Sequence, residues 1–386
     1  MTTIFKPLAM VFAAAVPAVA AAQGTSPTAV DLKAPDGIPL KASYYSPASP
    51  GPGLVLLHDC NRSRAAWDAF ARAAAGSGFH VLALDYRGFG ESGGDRFQAG
   101  PEQQAIITEK WPGDVDAALA WLQAQPGVER ARIGAAGASC GVNQAVLLAQ
   151  RHPEVKTVVM LSGGVNPAGR QHLRSSPGLS ILAAASHDDG DAVNTMRWVL
   201  GWSRNPANKA VEYQKAGHGT DMFAAETTLQ PALLEWFDRR LRKAADSPIT
   251  TAAPDAPGVV EQFWAVLADP DGEARARKMI AEVRASQPAV VLFPEGEMNL
   301  YGYQLLQEGN AAHARWVFQL NVDAYPASAN TYDSLSDAYL ALGKRADALR
   351  LAQKALKMLE TDTRVGPELR KAIQESAERK IRDLSE

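Results

Sequence analysis

"GAAGASCGVNQA", residues Gly134 to Ala145, joins an apolar run, a Gly-Ala-Ser-Cys-Gly segment and the start of an amphipathic stretch. The run "RIGAAG" (Arg132 to Gly137) reads as a buried strand, and "GVNQAVLLAQRHP" beyond it has helical apolar spacing and stops at His152-Pro153. Gly137-Ala138-Ser139-Cys140-Gly141 is therefore a G-x-S-x-G segment at a strand-to-helix turn, a setting that exposes a serine hydroxyl on a sharp bend. In such a turn the residues two before and two after the nucleophile lie against each other, so both must be small. Centred on Ser139 they are Gly137 and Gly141; centred on Cys140 they are Ala138 and Val142, and a β-branched side chain fits badly there. Ser139 is the predicted nucleophile. The segment contains neither G-x-x-x-x-G-K-[ST] nor G-x-G-x-x-G, which argues against a phosphate or dinucleotide loop and leaves a structural glycine-rich turn as the alternative.

Working outward, "LVLLH" (Leu54 to His58), "HVLALDY" (His80 to Tyr86) and "TVVMLSG" (Thr157 to Gly163) read as further buried strands. "RAAWDAFARAAAGSG" and "PGDVDAALAWLQAQPG" have helical spacing and end in glycine. "LSILAAAS" (Leu179 to Ser186) and "KAVEYQKAG" (Lys209 to Gly217) supply later strands, and "QPALLEWFDRRLRKA" a closing helix. Strand followed by helix, repeated, predicts an α/β fold, a mostly parallel sheet with helices on both faces.

"ADSPITTAAPDAPG" (Ala245 to Gly258) is proline-rich and aperiodic, and the strand signal ends with it. Beyond it Gly309 matches Gly343, Ala314 matches Ala348 and Leu306 matches Leu340, each pair 34 residues apart (343 − 309, 348 − 314, 340 − 306). Small and apolar residues at Gly302, Ala314 and Phe318, with Pro326 after them, and at Leu335, Tyr339, Ala348 and Ala355, suit stacked helix pairs. "GVVEQFWAVLADPDGEARARKMIAEVRA" reads as an irregular helical pair before them. An all-α, tetratricopeptide-like domain is expected, an ordinary helical bundle being the alternative, with catalysis confined to the first domain.

The 386 residues suffice for two cores, and the net charge of −3, with no basic run, argues against a nucleic-acid partner. "MTTIFKPLAMVFAAAVPAVAAAQG" sets Lys6 before an apolar run and ends in small residues, the pattern of a secretory signal peptide. The expected division is a signal peptide at 1–22, an α/β domain at 28–245, a linker at 246–257 and a helical domain at 258–386. The mature chain is expected to be exported, periplasmic or secreted, with no membrane span.

A serine hydroxyl needs an imidazole to take its proton, and the imidazole needs an acid to hold its tautomer. Five histidines follow Ser139: His152, His172, His187, His218 and His313. His218, between glycines in "KAGHGTDMF" after a strand, is the best-placed base, whereas His152 ends a helix and His313 falls in the repeats. "ILAAASHDDGDA" offers Asp188 and Asp189 on a post-strand loop; Asp189 is favoured as lying further out, and His187 reads as a surface residue. No H-E-x-x-H or comparable spacing appears, so neither a metal nor a cofactor is expected.

With these residues placed, the region from Val30 to Ala244 resembles the α/β-hydrolase superfamily, especially its dienelactone hydrolase-like branch, through "LVLLHD", "LALDYRGFGESGG", "GDVDAALAWLQAQPGVERARIGAAGASCG", "EVKTVVMLSGG" and "AGHGTDMF". The resemblance implies a triad of Ser139, Asp189 and His218, with an oxyanion hole made by the backbone amides of Cys140 and, by position, Cys60. It also sets the chain apart: serine replaces the cysteine of dienelactone hydrolases proper, and His58-Asp59 replaces His-Gly, bringing a carboxylate near the hole that disfavours anionic substrates. If the two loops adjoin as the resemblance implies, Cys60 and Cys140 pair as a disulfide bracing the hole, the alternative being two small buried thiols. The expected activity is hydrolysis of a small-molecule carboxylic ester through an acyl-enzyme. Alternatives are a peptidase or acyltransferase on the same triad, or a non-catalytic scaffold binding a protein partner through the repeats. With only "GVNPAGRQHLRSSPG" (Gly164 to Gly178) as a lid, the site is expected to be open, with Arg170 and Arg174 either meeting an acidic substrate or lying in solvent.

Overall fold

The apolar runs form strands because a parallel sheet covered on both faces leaves no side for polar residues. A computed structural model of the chain describes residues 26–97, 105–243, 258–362 and 365–385; the expected leader at 1–22 and linker at 246–257 lie outside the described residues. The strands are β1 (Thr28–Lys33), β2 (Pro39–Tyr45), β3 (Gly51–Leu57), β4 (His80–Asp85), β5 (Val128–Ala138), β6 (Val155–Leu161), β7 (Ser180–Ser186) and β8 (Lys209–Tyr213). They make one sheet in the order β1-β2-β4-β3-β5-β6-β7-β8. Pairing is antiparallel at β1/β2 and β2/β4, and parallel from β4 through β8.

The β1–β2 hairpin is the part the sequence reading missed. Its strands expose alternate residues and lack the continuous apolar run used to recognise the others. β3, β4 and β7 are buried along their whole length.

Helices α1 (Asp68–Gly76), α2 (Trp111–Gln123), α3 (Cys140–Arg151), α4 (Pro167–Ser175), α5 (Ala192–Leu200) and α6 (Leu229–Asp238) alternate with these strands. One sheet face carries α1 and α6, through Phe70, Ala74, Leu233 and Phe237. The other carries α2, α3 and α5, through Trp111, Leu119, Val146 and Val199. All parallel strands end on one edge of the sheet, so the loops after β3, β5, β6, β7 and β8 lie together there.

The C-terminal residues are helical: α7 (Val259–Leu267), α8 (Glu273–Ser286), α9 (Glu295–Gln307), α10 (Ala311–Ala324), α11 (Ala329–Ala341), α12 (Arg345–Leu359) and α13 (Pro367–Ser385). Helix starts recur at the expected interval: α9 and α11 differ by 34 residues (329 − 295), as do α10 and α12 (345 − 311). Gly309 and Gly343 stand at matching positions with φ of 78° and 72°, the left-handed stop after a helix that glycine adopts at least cost. Within the first pair, α9 lies so close to α10 that a side chain at Gly302 would overlap the Phe318 ring.

The helical region is continuous with the α/β core. Trp198 of α5 and Trp264 of α7 both donate an indole N–H to the Leu292 carbonyl, at 3.2 and 3.0 Å, with ring centroids 5.4 Å apart. Arg170 of α4 is 2% exposed, its guanidinium 3.9 Å from the Trp264 ring centroid and bonded to Glu297 at 2.7 Å, while Arg174 pairs with Glu261. The two arginines expected to meet a substrate or lie in solvent instead join the two regions.

Gly302→Leu is expected to lower stability by about 1–3 kcal/mol through overpacking against Phe318. The urea midpoint reads this directly, and an unchanged midpoint would show that α9 and α10 do not meet so closely in solution.

Candidate active site

Ser139 sits between β5 and α3 with φ 53° and ψ −121°, and Ser162 after β6 is the other non-glycine residue with positive φ among those described. Such a conformation costs on the order of 1–3 kcal/mol and persists only where its surroundings enforce it. Here they do. The Ser139 N–H donates to the Leu161 carbonyl at 2.8 Å, and a methyl group at Gly137 would overlap the Gly141 carbonyl. The smallness required two residues either side of Ser139 is thus a backbone contact. Cys140 opens α3, whose N-terminal dipole points positive charge at the bend.

His218 lies in the loop between β8 and the turn at Gly219–Asp221. Its Nδ1 is 2.9 and 2.8 Å from the two Asp189 carboxylate oxygens, so Nδ1 carries the hydrogen and donates, leaving Nε2 as the acceptor in the neutral ring. Asp188 is committed elsewhere, accepting from Ser186 Oγ and from the Gly217 N–H, the latter at 3.2 Å. Of the two candidate acids, Asp189 is the one that reaches the imidazole.

Burial pushes the His218 pKa down, but the Asp189 hydrogen bond and charge, reinforced by Asp59 and Asp221, outweigh it and hold it above 6.5. The remaining histidines serve other ends. His152 closes α3 and contacts Asp116, His187 is exposed beside Glu212, and His313 is buried against the Leu267 carbonyl. His172 pairs with Ser176 on α4.

The loop after β3 is held from three sides. His58 Nδ1 donates to the Asp59 carbonyl at 2.6 Å while its Nε2 accepts from the Tyr86 N–H at 3.4 Å, and burial lowers its pKa, so it stays neutral. The Asp59 carboxylate, expected to disfavour anions near the hole, is tied to the His218 loop, accepting from Thr220 Oγ1 at 2.7 Å and the Thr220 N–H at 3.2 Å. Cys60 and Cys140 are joined as a disulfide with Cα atoms 5.8 Å apart. Among the described residues neither cysteine's N–H has a protein acceptor.

Ser139, Cys140, Asp189 and His218 line one chamber of about 980 Å³. Its floor is the strand-end loops, and its roof is Glu295, Glu297, Leu300 and Gln304 of α9 with residues near Tyr325, Ser328 and Asp362. The helical region, expected to take no part in catalysis, therefore lines one side of the chamber. Nothing in the sequence announced this, because the roof residues follow Ser139 by 156 positions or more (295 − 139). The lining includes Glu109, Asp191, Glu295, Glu297, Glu308 and Asp362 and, among the described residues, no lysine or arginine. Among the described residues no group of three or more His, Cys, Asp or Glu is placed to hold a metal.

The sheet order, the bend at Ser139 and the His218–Asp189 pair at the strand ends define an α/β hydrolase. The chain belongs to the X-Pro dipeptidyl-peptidase (S15) family, whose model matches residues 36–293, a span that includes α7 and α8. It is 32% identical over 130 residues to a 31.7 kDa protein of the traX-finO intergenic region of Escherichia coli. It is 34% identical over 133 residues to protein Rv2307c of Mycobacterium tuberculosis. The match to Escherichia coli takes in 33% of this chain and that to Mycobacterium 34%, and in each case the chain spans 43% of the relative's length. Among solved structures, a dienelactone hydrolase from Anabaena variabilis aligns at TM-score 0.45 and 20% identity, over 57% of this chain and 100% of that one. The Pyrococcus furiosus esterase Pf2001 aligns at 0.46 and 16%, over 56% and 92%.

With Asp189 removed, the largest contributions that offset burial at His218 are lost. Asp189→Asn is therefore expected to lower the imidazole pKa, and Asp188→Asn to leave it in place. Following the ring proton by NMR across pH checks both, and equal shifts in the two variants would reverse the assignment of the acid.

Proposed function

We propose that this chain is an exported serine hydrolase that cleaves carboxylic esters through an acyl-enzyme, with Ser139 as nucleophile, His218 as base and Asp189 as its orienting acid. The observation that carries this reading is the opening of the Asp189-held His218 onto the same chamber as the strained Ser139. Ser139 Oγ forms a bond to the ester carbonyl carbon as His218 Nε2 takes its proton. The C–O bond to the alcohol then breaks, with that proton transferred to the leaving oxygen. Water, activated by the same nitrogen, hydrolyses the acyl-enzyme and restores Ser139.

The negative oxygen of each tetrahedral intermediate is assigned to the N–H groups of Cys60 and Cys140, both without protein acceptors among the described residues. The disulfide between these residues fixes the separation of the two donors. Closing a loop across 80 residues also contributes stability, on the order of 4 kcal/mol in the chain-entropy account. Export is supported by the leader pattern of residues 1–22 and by this cross-link, which suits an oxidising compartment.

A second reading, a peptidase, is favoured by the family and by the chamber walls. An X-Pro dipeptidyl substrate presents an amino-terminal ammonium, which carboxylates in the lining such as Glu109, Asp191 and Glu308 accommodate. The helical region lines the chamber, which supports a role in holding substrate over one as a separate docking module.

A fluorophosphonate probe is expected to label the protein at Ser139 and to give no adduct with Ser139→Ala; unlabelled, folded wild-type protein would end this reading. Parallel assays on short-chain p-nitrophenyl esters and on X-Pro anilides separate the esterase from the peptidase. For the active substrate, kcat/KM should fall as pH falls, with an apparent pKa above 6.5, because protonated His218 cannot accept the serine proton.

Reduction of Cys60–Cys140 is expected to lower kcat by about tenfold or more, since losing one oxyanion donor outright costs on the order of 100- to 1,000-fold. Undiminished kcat in protein with two alkylated thiols would remove the disulfide from the mechanism.

A further inference from the structure

Glu297 is fully enclosed, at 2% exposure, yet lies on α9 of the helical region and reaches into the α/β core. Its Oε1 accepts from the Val165 N–H at 3.0 Å and its Oε2 from Arg170 Nη1 at 2.7 Å, while the same Arg170 nitrogen donates to the Val165 carbonyl at 2.7 Å. Both polar groups of one peptide residue are thus held by one ion pair.

Such a pair is costly to build. Burial lowers the Arg170 pKa to about 10 and raises that of Glu297, and apolar residues of equal volume would often be as stable. What an apolar pair could not do is satisfy the Val165 peptide at an interface that excludes water.

Val165 belongs to the loop after β6, residues 162–166, and that loop is the nucleophile's neighbour. Ser162 holds φ 47°, its Oγ is buried without a partner among the described residues, and it lines the chamber with Ser139. A side chain at Gly163 would overlap the Ser139 carbonyl, and one at Gly164 would overlap Glu297 Oε1. Asn166 in turn donates its N–H to Asn143 Oδ1 of α3 at 2.9 Å, and its carbonyl accepts from the Arg170 N–H at 2.9 Å. Contact therefore runs without a gap from Glu297 through Gly164 and Gly163 to the backbone of Ser139.

We infer that Glu297 is a positioning residue for the Ser139 bend, so that the helical region is an integral part of the catalytic unit. This rests on the proposed role of Ser139. A displacement of the bend by a fraction of an ångström moves Oγ relative to His218 and the oxyanion amides, and misplacement of 1 Å can cost on the order of 100-fold. The expected loss is in kcat, because the loop sets where the attacking atom sits.

The test perturbs the contact without removing either charge. Gly164→Ala in the full chain places a methyl group against Glu297 Oε1 and is expected to reduce kcat and the rate of fluorophosphonate labelling at Ser139 by about tenfold or more, with KM within about twofold. Shortening the acid relieves the clash, so Gly164→Ala with Glu297→Asp is expected to recover at least half of the logarithmic loss. Paired replacement of Glu297 and Arg170 by methionine leaves no buried charge but strips the Val165 peptide of its partners. If that variant folds it should show the same kcat defect; if it does not, the glycine variants decide. Wild-type kcat in Gly164→Ala, or a loss that Glu297→Asp does not relieve, overturns the inference and leaves the hydrolase reading standing. Failure of the wild type to label at Ser139 overturns both.

Discussion

Close approach of the backbone at Gly137 to that at Gly141 is the constraint on which the site depends. It forces Ser139 into a left-handed conformation, turns the chain from β5 into α3 within one residue, and exposes the hydroxyl at the sheet edge. A bend of this kind stores strain, and the surrounding core must supply more than it costs. The residues on both sides do so: Ala135, Ala136, Ala138, Val142, Ala145 and Val146 are all fully buried. Because every neighbouring strand is parallel, one edge of the sheet gathers His218, Asp189 and both cysteine loops without any loop having to cross it.

A sheet edge alone would leave this site facing solvent. The helical region lines it from one side, and the junction is made by polar groups enclosed in aromatic surface. Arg170 is stacked on Trp264 and within 5.6 Å of the Trp198 and Trp202 ring centroids, with Glu297 completing its partners. An interface made this way is directional. Apolar surfaces can slide past one another at small cost, but an arginine held between indole faces and a carboxylate has one register, as has the wall it supports.

Much of the fold was legible because burial writes itself into the sequence as uninterrupted apolar runs, and the strand-to-helix bend because glycine alone permits it. The β1–β2 hairpin was not, since alternation over six or seven residues with one exposed face carries a weaker signal. His218 was readable from chain order and its flanking glycines, whereas the choice of Asp189 over Asp188 depended on a direction that neighbours in sequence cannot reveal. Arg170 was misread because its partner, Glu297, lies 127 residues away, and charge without its partner looks like solvent or substrate contact. The 34-residue period gave the helix pairs correctly and said nothing of the face that α9 turns toward the chamber.

The charge around the site follows one direction. Asp189, Asp59 and Asp221 favour the protonated imidazole, so in the proposed mechanism, where His218 takes the serine proton, the same field that raises its pKa would stabilise the charge that develops, while the oxyanion is assigned to the amides of Cys60 and Cys140. On the proposed esterase reading the scissile bond is neutral, whereas the acid product is a carboxylate at neutral pH, released beside Glu109, Asp191 and Glu308, so like charge disfavours its retention.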